Sequence, residues 1–171
     1  YEYGVEITIF TLLNILLIIA AGIAVSDMIS GAVFLAVFIP LRLLVGGYRA
    51  KTYFMCNALY LLTYLAVYYI NSAAAAFIDG ELFSMLLTVL ILLGIIPIIA
   101  FAPVKNPYKP LSDKHSRICR IIGIAVFILL SIVGLALYYG SIKYGSLMII
   151  TLVSVSVMIL TDILKRGRKM K

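Results

Sequence analysis

A short segment between two apolar runs carries the residues best suited to chemistry. Arg42, Arg49 and Cys56 recur at intervals of seven, so in a continuous helix they would share one face. Nearby cations or a helix N-terminus favour the thiolate, the nucleophilic form of cysteine. Gly46 and Gly47 allow the backbone to turn, and they interrupt such a helix. The segment indicates either nucleophilic catalysis by Cys56 or a basic turn in which Cys56 is a small buried side chain.

The composition indicates that a membrane protein holds this segment. Of the 171 residues, 64% are hydrophobic and 12% are charged, against about 45–50% and about 25% in a soluble domain. About 20 apolar residues cross the bilayer core. The sequence therefore predicts a single all-α transmembrane domain, residues 1–171, with about six spans and both termini on one side. The predicted spans are Ile7–Val25, Met28–Val45, Phe54–Ile70, Leu82–Phe101, Ile121–Tyr139 and Gly145–Leu164.

Individual residues predict departures from a regular apolar helix in some of these spans. The second span contains Pro40, so we expect either a kinked helix or a partly re-entrant segment. The third is short, and the small-residue run at 72–78 could lengthen it. We expect Asn14 to make a hydrogen bond between helices and Asp162 to lie at the membrane interface.

The basic residues alternate between connections along the chain. Thirteen of the 14 lie in three segments, 42–51, 105–120 and 165–171, whereas the alternate connections hold only Lys143. Because Lys and Arg accumulate on the cytoplasmic side, we expect both termini and Cys56 there. Disulfides are rare in that compartment. The net charge of +7 then reflects membrane topology rather than nucleic-acid binding.

The basic segment 102–120 is predicted to be a stiff, extended cytoplasmic loop, because it contains three prolines. Its cations, with those of the cytoplasmic tail 165–171, suit an acidic partner, and Lys109 and Lys114 are the docking candidates. Contact with anionic lipid is the alternative. One histidine and two separated cysteines cannot build a zinc tetrad, and no phosphate-binding glycine motif occurs, so we expect no metal and no cofactor.

The central motif resembles that of a known family. LRLLVGGYRAKTYFMC, residues 41–56, is similar to the signature of the accessory gene regulator B (AgrB) family, bacterial membrane endopeptidases that process quorum-sensing peptide precursors. The family pattern reads approximately R-x-x-x-G-G-x-H-A-K-(S/T)-x-x-x-C. The residues that match in register are Arg42, Gly46, Gly47, Ala50, Lys51, Thr52 and Cys56. The stretches YEYGVE and APVKNPYKPLSDK also resemble the family.

The resemblance implies a reaction at the cytoplasmic face of a bacterial, Gram-positive cell membrane. Cys56 would attack the scissile carbonyl of an AgrD-like precursor and form an acyl-enzyme thioester. An internal Cys or Ser of the precursor would then displace Cys56, giving a thiolactone or lactone ring. Lys51 joins Lys109 and Lys114 as a candidate for substrate binding, and Glu6, near the same end of its span, could orient or neutralise Arg49.

Arg49 departs from the family pattern, which has His at this position. Arginine cannot act as a general base, although it could stabilise a thiolate or an oxyanion. The only histidine, His115, could fold back toward the site. Three interpretations stay open: a subfamily that works with Arg, an engineered substitution that disables turnover, and a pseudoenzyme that acts as a peptide-binding scaffold or transporter. We expect Arg42, Arg49 and Cys56 to converge on a cavity near the inner leaflet, which a second protomer of a homodimer could complete.

Overall fold

Six α-helices make up the described parts of the chain. A computed structural model describes residues 2–45, 53–101, 113–140 and 142–169, with side chains described at 11–45, 55, 57–100, 117–140 and 142–163. The helices are α1 (Glu2–Ala24), α2 (Met28–Val45), α3 (Tyr53–Phe77), α4 (Gly80–Phe101), α5 (Asp113–Tyr139) and α6 (Tyr144–Lys169).

The helices confirm an all-α membrane protein. Helices α2 to α6 each contain an apolar stretch long enough to cross a bilayer, and the part of α1 described with side chains, Thr11–Ala24, is also apolar but shorter. Helix α2 has the bounds of the predicted second span. Pro40 lies inside α2 without ending it, so the segment is a continuous helix rather than a re-entrant loop. Helix α3 runs through the small-residue run to Phe77, because alanine is the strongest helix former.

The basic segments are more helical than predicted. Helix α5 begins at Asp113, so the prediction of an extended loop was wrong for residues 113–120. The last proline of the segment is Pro110, and an acidic residue suits the positive N-terminus of a helix. Arg120 also donates a hydrogen bond to the carbonyl of Ile99 in the last turn of α4, where carbonyls lack helical partners. Helix α6 continues to Lys169, so most of the predicted tail is helical as well.

Helices α2 and α6 lie inside the bundle. Helix α6 packs against α2, α3, α4 and α5, and α2 also packs against α1, α3 and α5. Large apolar side chains on α3, α4 and α5, such as Leu62, Leu92 and Ile132, are mostly exposed, as lipid-facing residues are. The largest fully buried side chains come from all six helices and include Ile18, Phe34, Phe38, Tyr64, Leu87, Phe127 and Ile149.

Small residues let α6 approach its neighbours closely. The Ser156 hydroxyl donates a hydrogen bond to the carbonyl of Gly94 in α4, at 2.6 Å. At the start of α6, a Cβ added to Gly145 would lie 2.6 Å from the carbonyl oxygen of Gly134 in α5. Such close backbone contacts are typical of helix pairs in membranes, where packing and hydrogen bonds replace the hydrophobic effect between helices.

The bundle has two ends with different chemistry. One end holds the start of α3 together with the ends of α2, α4 and α6, and we call it the motif end. The other end, called the far end, holds the turns that join α1 to α2, α3 to α4 and α5 to α6. At the far end the Tyr138 hydroxyl of α5 donates a hydrogen bond to the carbonyl of Gly80 at 3.1 Å. This contact and those of Asp27 bring the three turns together.

Asp27 organises the far end. Its Oδ1 accepts hydrogen bonds from the Ser30 backbone N–H at 3.2 Å and the Tyr144 hydroxyl at 3.0 Å. Its Oδ2 pairs with Lys143 Nζ at 3.0 Å. Asp27 therefore caps the N-terminus of α2 and joins it to the turn before α6. Partial burial raises the pKa of the Asp27 carboxyl, but the hydrogen bonds from Lys143, Tyr144 and Ser30 outweigh it and hold the pKa below its usual value of 3.8.

Candidate functional site

Cys56 lies in the first turn of α3. The helix begins at Tyr53, so Cys56 is its fourth residue, and its side chain lies outside the described residues. Backbone N–H groups in the first turn of a helix have no helical acceptor, and together they carry a partial positive charge. An anionic group is stabilised at such a position. The backbone around Cys56 is therefore of the kind that favours a thiolate.

Arg42 contacts α3 one turn beyond Cys56. Arg42 is half-buried in the last turn of α2, and its guanidinium carbon lies 4.4 Å from the centre of the Tyr60 ring. Tyr60 follows Cys56 by four residues, so the two share a face of α3. The Arg42 side chain from α2 thus contacts α3 at Tyr60, one turn after Cys56. The catalytic roles of Arg42 and Cys56 stay predictions.

Buried aromatic rings support this contact. The Phe38 ring meets the Tyr60 ring edge-on, with centroids 4.8 Å apart, and it also lies 5.7 Å from the guanidinium carbon of Arg42. Phe34 stacks on Phe38 at 4.9 Å. Both phenylalanines are fully buried. A guanidinium within about 6 Å of a ring centre is attracted to the negative face of the ring.

The structure adds site residues that the motif did not indicate. Tyr60 has no counterpart in the sequence motif, and only its spacing of four from Cys56 pointed to that face. Asn57 follows Cys56 directly, and its Oδ1 is buried with no hydrogen-bond partner within the described parts of the chain. Asp162, near the motif end of α6, is 7% exposed rather than at the interface. Asp162 is buried because α6 is the central helix. Asn14 is buried, and the hydrogen bond to another helix stays a prediction.

The other predicted site residues fall into two groups. Glu6 lies on the backbone of α1 and Lys114 is the second residue of α5, while both side chains lie outside the described residues. Lys114 therefore belongs to a helix rather than to an extended loop. The predicted residues that lie wholly outside the described ranges are Gly46, Gly47, Arg49, Lys51 and Lys109. The predicted cavity that includes Arg49 lies outside them as well.

Metal binding has no support in the described residues. Among the described side chains, at 11–45, 55, 57–100, 117–140 and 142–163, no group of three or more His, Cys, Asp and Glu residues could hold an ion. Cys119, half-buried on α5, carries a free thiol.

Comparisons with known proteins identify the family. No curated protein and no solved structure matched the chain. The family model of AgrB, Accessory gene regulator B, matches residues 1–161. That range includes helices α1 to α5, most of α6 and the whole Arg42–Cys56 motif. The chain therefore belongs to the AgrB family, which comprises quorum-sensing accessory proteins involved in peptide processing.

Proposed function

We propose that this chain is a membrane cysteine endopeptidase that cleaves an AgrD-like precursor peptide, with Cys56 as the nucleophile. The family works with the AgrD peptide, which sets the substrate class. The observation that carries the proposal is the position of the two terminal motif residues, since Arg42 lies in the last turn of α2 and Cys56 in the first turn of α3. Cys56 falls in the first turn of α3, and Arg42 reaches the same face of that helix.

The proposed reaction has two steps. The Cys56 sulfur bonds to the scissile carbonyl carbon, and the C–N bond then breaks as the leaving amine takes up a proton. The N-terminal part of the precursor remains on Cys56 as a thioester. An internal Cys or Ser of the precursor attacks this thioester, forms the ring and restores the Cys56 thiol. Exclusion of water within a membrane-embedded site favours this ring closure over hydrolysis.

Arg49 determines how efficiently the first step runs. Its charge favours the Cys56 thiolate and stabilises the oxyanion of the tetrahedral intermediate. It cannot accept a proton and is a poor acid toward the departing amine. We therefore propose that acylation in this chain is slow, unless His115 supplies the proton. The enzyme would then be active but impaired relative to a form with His in place of Arg49.

We further propose that the site faces the cytoplasm of a bacterial cell membrane. The concentration of basic residues in segments 42–51, 105–120 and 165–171 supports this orientation. The cations of Lys51, Lys109 and Lys114 would attract the acidic C-terminal segment of a precursor. Glu6 would orient Arg49 or neutralise it. A second protomer could complete the site.

The alternative is a non-catalytic scaffold or transporter for the same peptide. The feature that favours it is Arg49, which stands where the family motif has a catalytic His. In that case the chain would bind precursor, and no bond would break.

Cleavage by two cysteine variants distinguishes the proposals. The precursor is reconstituted with the chain in liposomes, and the cleaved fragment is quantified by mass spectrometry. We expect Cys56→Ala to abolish cleavage and Cys119→Ala, which changes a free thiol on α5 outside the motif, to stay within about twofold of the unchanged chain. Cleavage by Cys56→Ala at the original rate would exclude Cys56 as the nucleophile. Binding without cleavage by the unchanged chain and by Arg49→His would favour the scaffold.

A further inference from the structure

We propose that Tyr60 is a positioning residue that holds Arg42 at the reaction site. This inference rests on the proposed function, since it concerns the site at Cys56. The Tyr60 ring centre lies 4.4 Å from the guanidinium carbon of Arg42, well within the range of a cation–π contact. The Phe38 ring is a second aromatic contact of Arg42, with its centre 5.7 Å from the same guanidinium carbon.

The need for such a residue follows from the flexibility of arginine. A free Arg side chain samples many rotamers, and fixing it costs up to about 2 kcal/mol in side-chain entropy. A ring face that attracts the guanidinium offsets this cost before substrate arrives. The Tyr60 ring is held in turn, because the fully buried Phe38 packs against it with centroids 4.8 Å apart. Arg42 is therefore confined by two helices rather than by its own backbone alone.

The ring that confines this charge lies about one turn from Cys56 along α3. Tyr60 and Cys56 are four residues apart on α3, which corresponds to a rise of about 6 Å along the helix axis. A cation–π contact uses the charge of the guanidinium, and the five N–H groups of a guanidinium are hydrogen-bond donors that lie in its plane. Peptide carbonyl oxygens and carboxylates are acceptors of the right geometry. We infer that Tyr60 aims Arg42 at an oxygen of the bound precursor backbone.

A series of fluorinated rings separates this role from simple packing. Fluorine withdraws electron density from the ring face and weakens cation–π attraction, with little change in ring volume. Phenylalanine carrying zero, one, two or three fluorines is placed at position 60, and cleavage rates are measured. We expect Tyr60→Phe to retain most of the cleavage rate. Each added fluorine should lower that rate further, so that the ring with three fluorines cleaves about tenfold more slowly than the ring with none. The same series at Tyr68, which is half-buried on α3, should leave the rate within about twofold.

Fluorine NMR reads the contact without relying on activity. With 4-fluorophenylalanine at position 60, Arg42→Gln should shift the fluorine resonance, because the cation leaves the ring. The same probe at position 68 should not respond, since no cation lies over the Tyr68 ring among the described side chains. An unchanged resonance at position 60 would overturn the contact. A shifted resonance with a flat rate series would overturn the positioning role.

The parallel Cys56→Ala control keeps the two proposals distinguishable. If Cys56→Ala is inactive and the fluorine series at position 60 is flat, only the inference about Tyr60 fails. If Cys56→Ala still cleaves, the proposed nucleophile fails whatever the series shows. Should the unchanged chain cleave too slowly to measure, the series is recorded in the Arg49→His background. Absence of cleavage there as well would overturn both proposals.

Discussion

Asp27 and Lys143 form an ion pair at the far end of the bundle, with Oδ2 and Nζ 3.0 Å apart. The pair joins the turn before α2 to the turn before α6, the two helices at the centre of the fold. The Lys143 side chain is 69% exposed, whereas that of Asp27 is 14% exposed. Solvent therefore screens the charge of Lys143, and Asp27 contributes more through its capping hydrogen bonds. These contacts close the bundle at the end opposite to Cys56.

Removal of the Asp27 side chain should destabilise the protein. Asp27→Ala removes the N-cap of α2, which is worth about 1 kcal/mol and corresponds to a Tm decrease of about 2–4 °C for a chain of this size. Thermal unfolding in detergent measures it. The matched control is Asp79→Ala, since Asp79 also precedes a helix but is exposed and accepts no side-chain hydrogen bond among the described residues. An equal Tm decrease in both variants would contradict this assignment.

The same site sets a pH dependence. The pKa of Asp27 is lower in the folded state, so its stabilising effect is present above the usual pKa of 3.8 and is lost as pH falls through the folded pKa. The pKa of Lys143 is raised, chiefly by the hydrogen bond to Asp27, so its effect is lost only as pH rises through a value above 10.5. The Tm difference between the unchanged chain and Asp27→Asn should therefore be constant near neutral pH and disappear in acid.

Substitution of Gly145 should disrupt the contact between α5 and α6. A Cβ at this position would lie 2.6 Å from the carbonyl oxygen of Gly134. The backbone of α6 fixes the Cβ and the backbone of α5 fixes the oxygen, so neither atom can move aside by a change of rotamer. Overpacking of this kind costs about 1–3 kcal/mol, so Gly145→Ala should lower the Tm in detergent. Gly80→Ala is the control, because a Cβ there meets no atom within 4 Å. Equal Tm values for the two variants would show that the helices can separate freely.

The helices could be predicted from the sequence to different degrees. Helix α2 was predicted with the correct ends because Asp27 precedes its apolar run and a pair of glycines follows it. The start of α5 and the end of α6 were missed because hydropathy detects the bilayer core, whereas a helix can continue beyond the core through charged residues. The apolar pattern predicts where the membrane lies, and not where the helix ends.

The site was only partly predictable for a different reason. The motif indicated that Arg42 and Cys56 belong together, since their spacing lies within one short segment. The packing of α2 against α3 determines both the contact between Arg42 and Tyr60 and the burial of Phe38. The burial of Asp162 depends likewise on the central position of α6. Packing between helices is not encoded in the spacing of residues along one helix.

Replacement of Arg49 by histidine should accelerate cleavage. Histidine can act as both base and acid near neutral pH, whereas arginine can do neither efficiently. General acid–base catalysis typically contributes about 10²- to 10⁴-fold, so Arg49→His should raise the cleavage rate on the same precursor toward that range. Single-turnover kinetics in liposomes measure it. A slower Arg49→His variant would instead identify Arg49 as an adapted catalytic partner.

Thiol labelling tests the proposed orientation. In intact cells, a reagent that cannot cross membranes should label Asp79→Cys, which lies in the exposed turn before α4, and should not label Cys56. Both should react after the cells are permeabilised. Labelling of Cys56 from outside, with Asp79→Cys protected, would reverse the orientation and exclude cleavage at the cytoplasmic face.

The central claim is that a thioester forms on Cys56, and its direct observation is the decisive measurement. A precursor whose internal Cys or Ser is replaced by Ala cannot close the ring, so the acyl-enzyme should accumulate. We expect intact-protein mass spectrometry to show a mass increase equal to the N-terminal fragment of the precursor minus water. Peptide mapping should locate it to Cys56, and hydroxylamine should release it. Cleavage of this precursor with no adduct, or with an adduct on Cys119 only, would contradict the account.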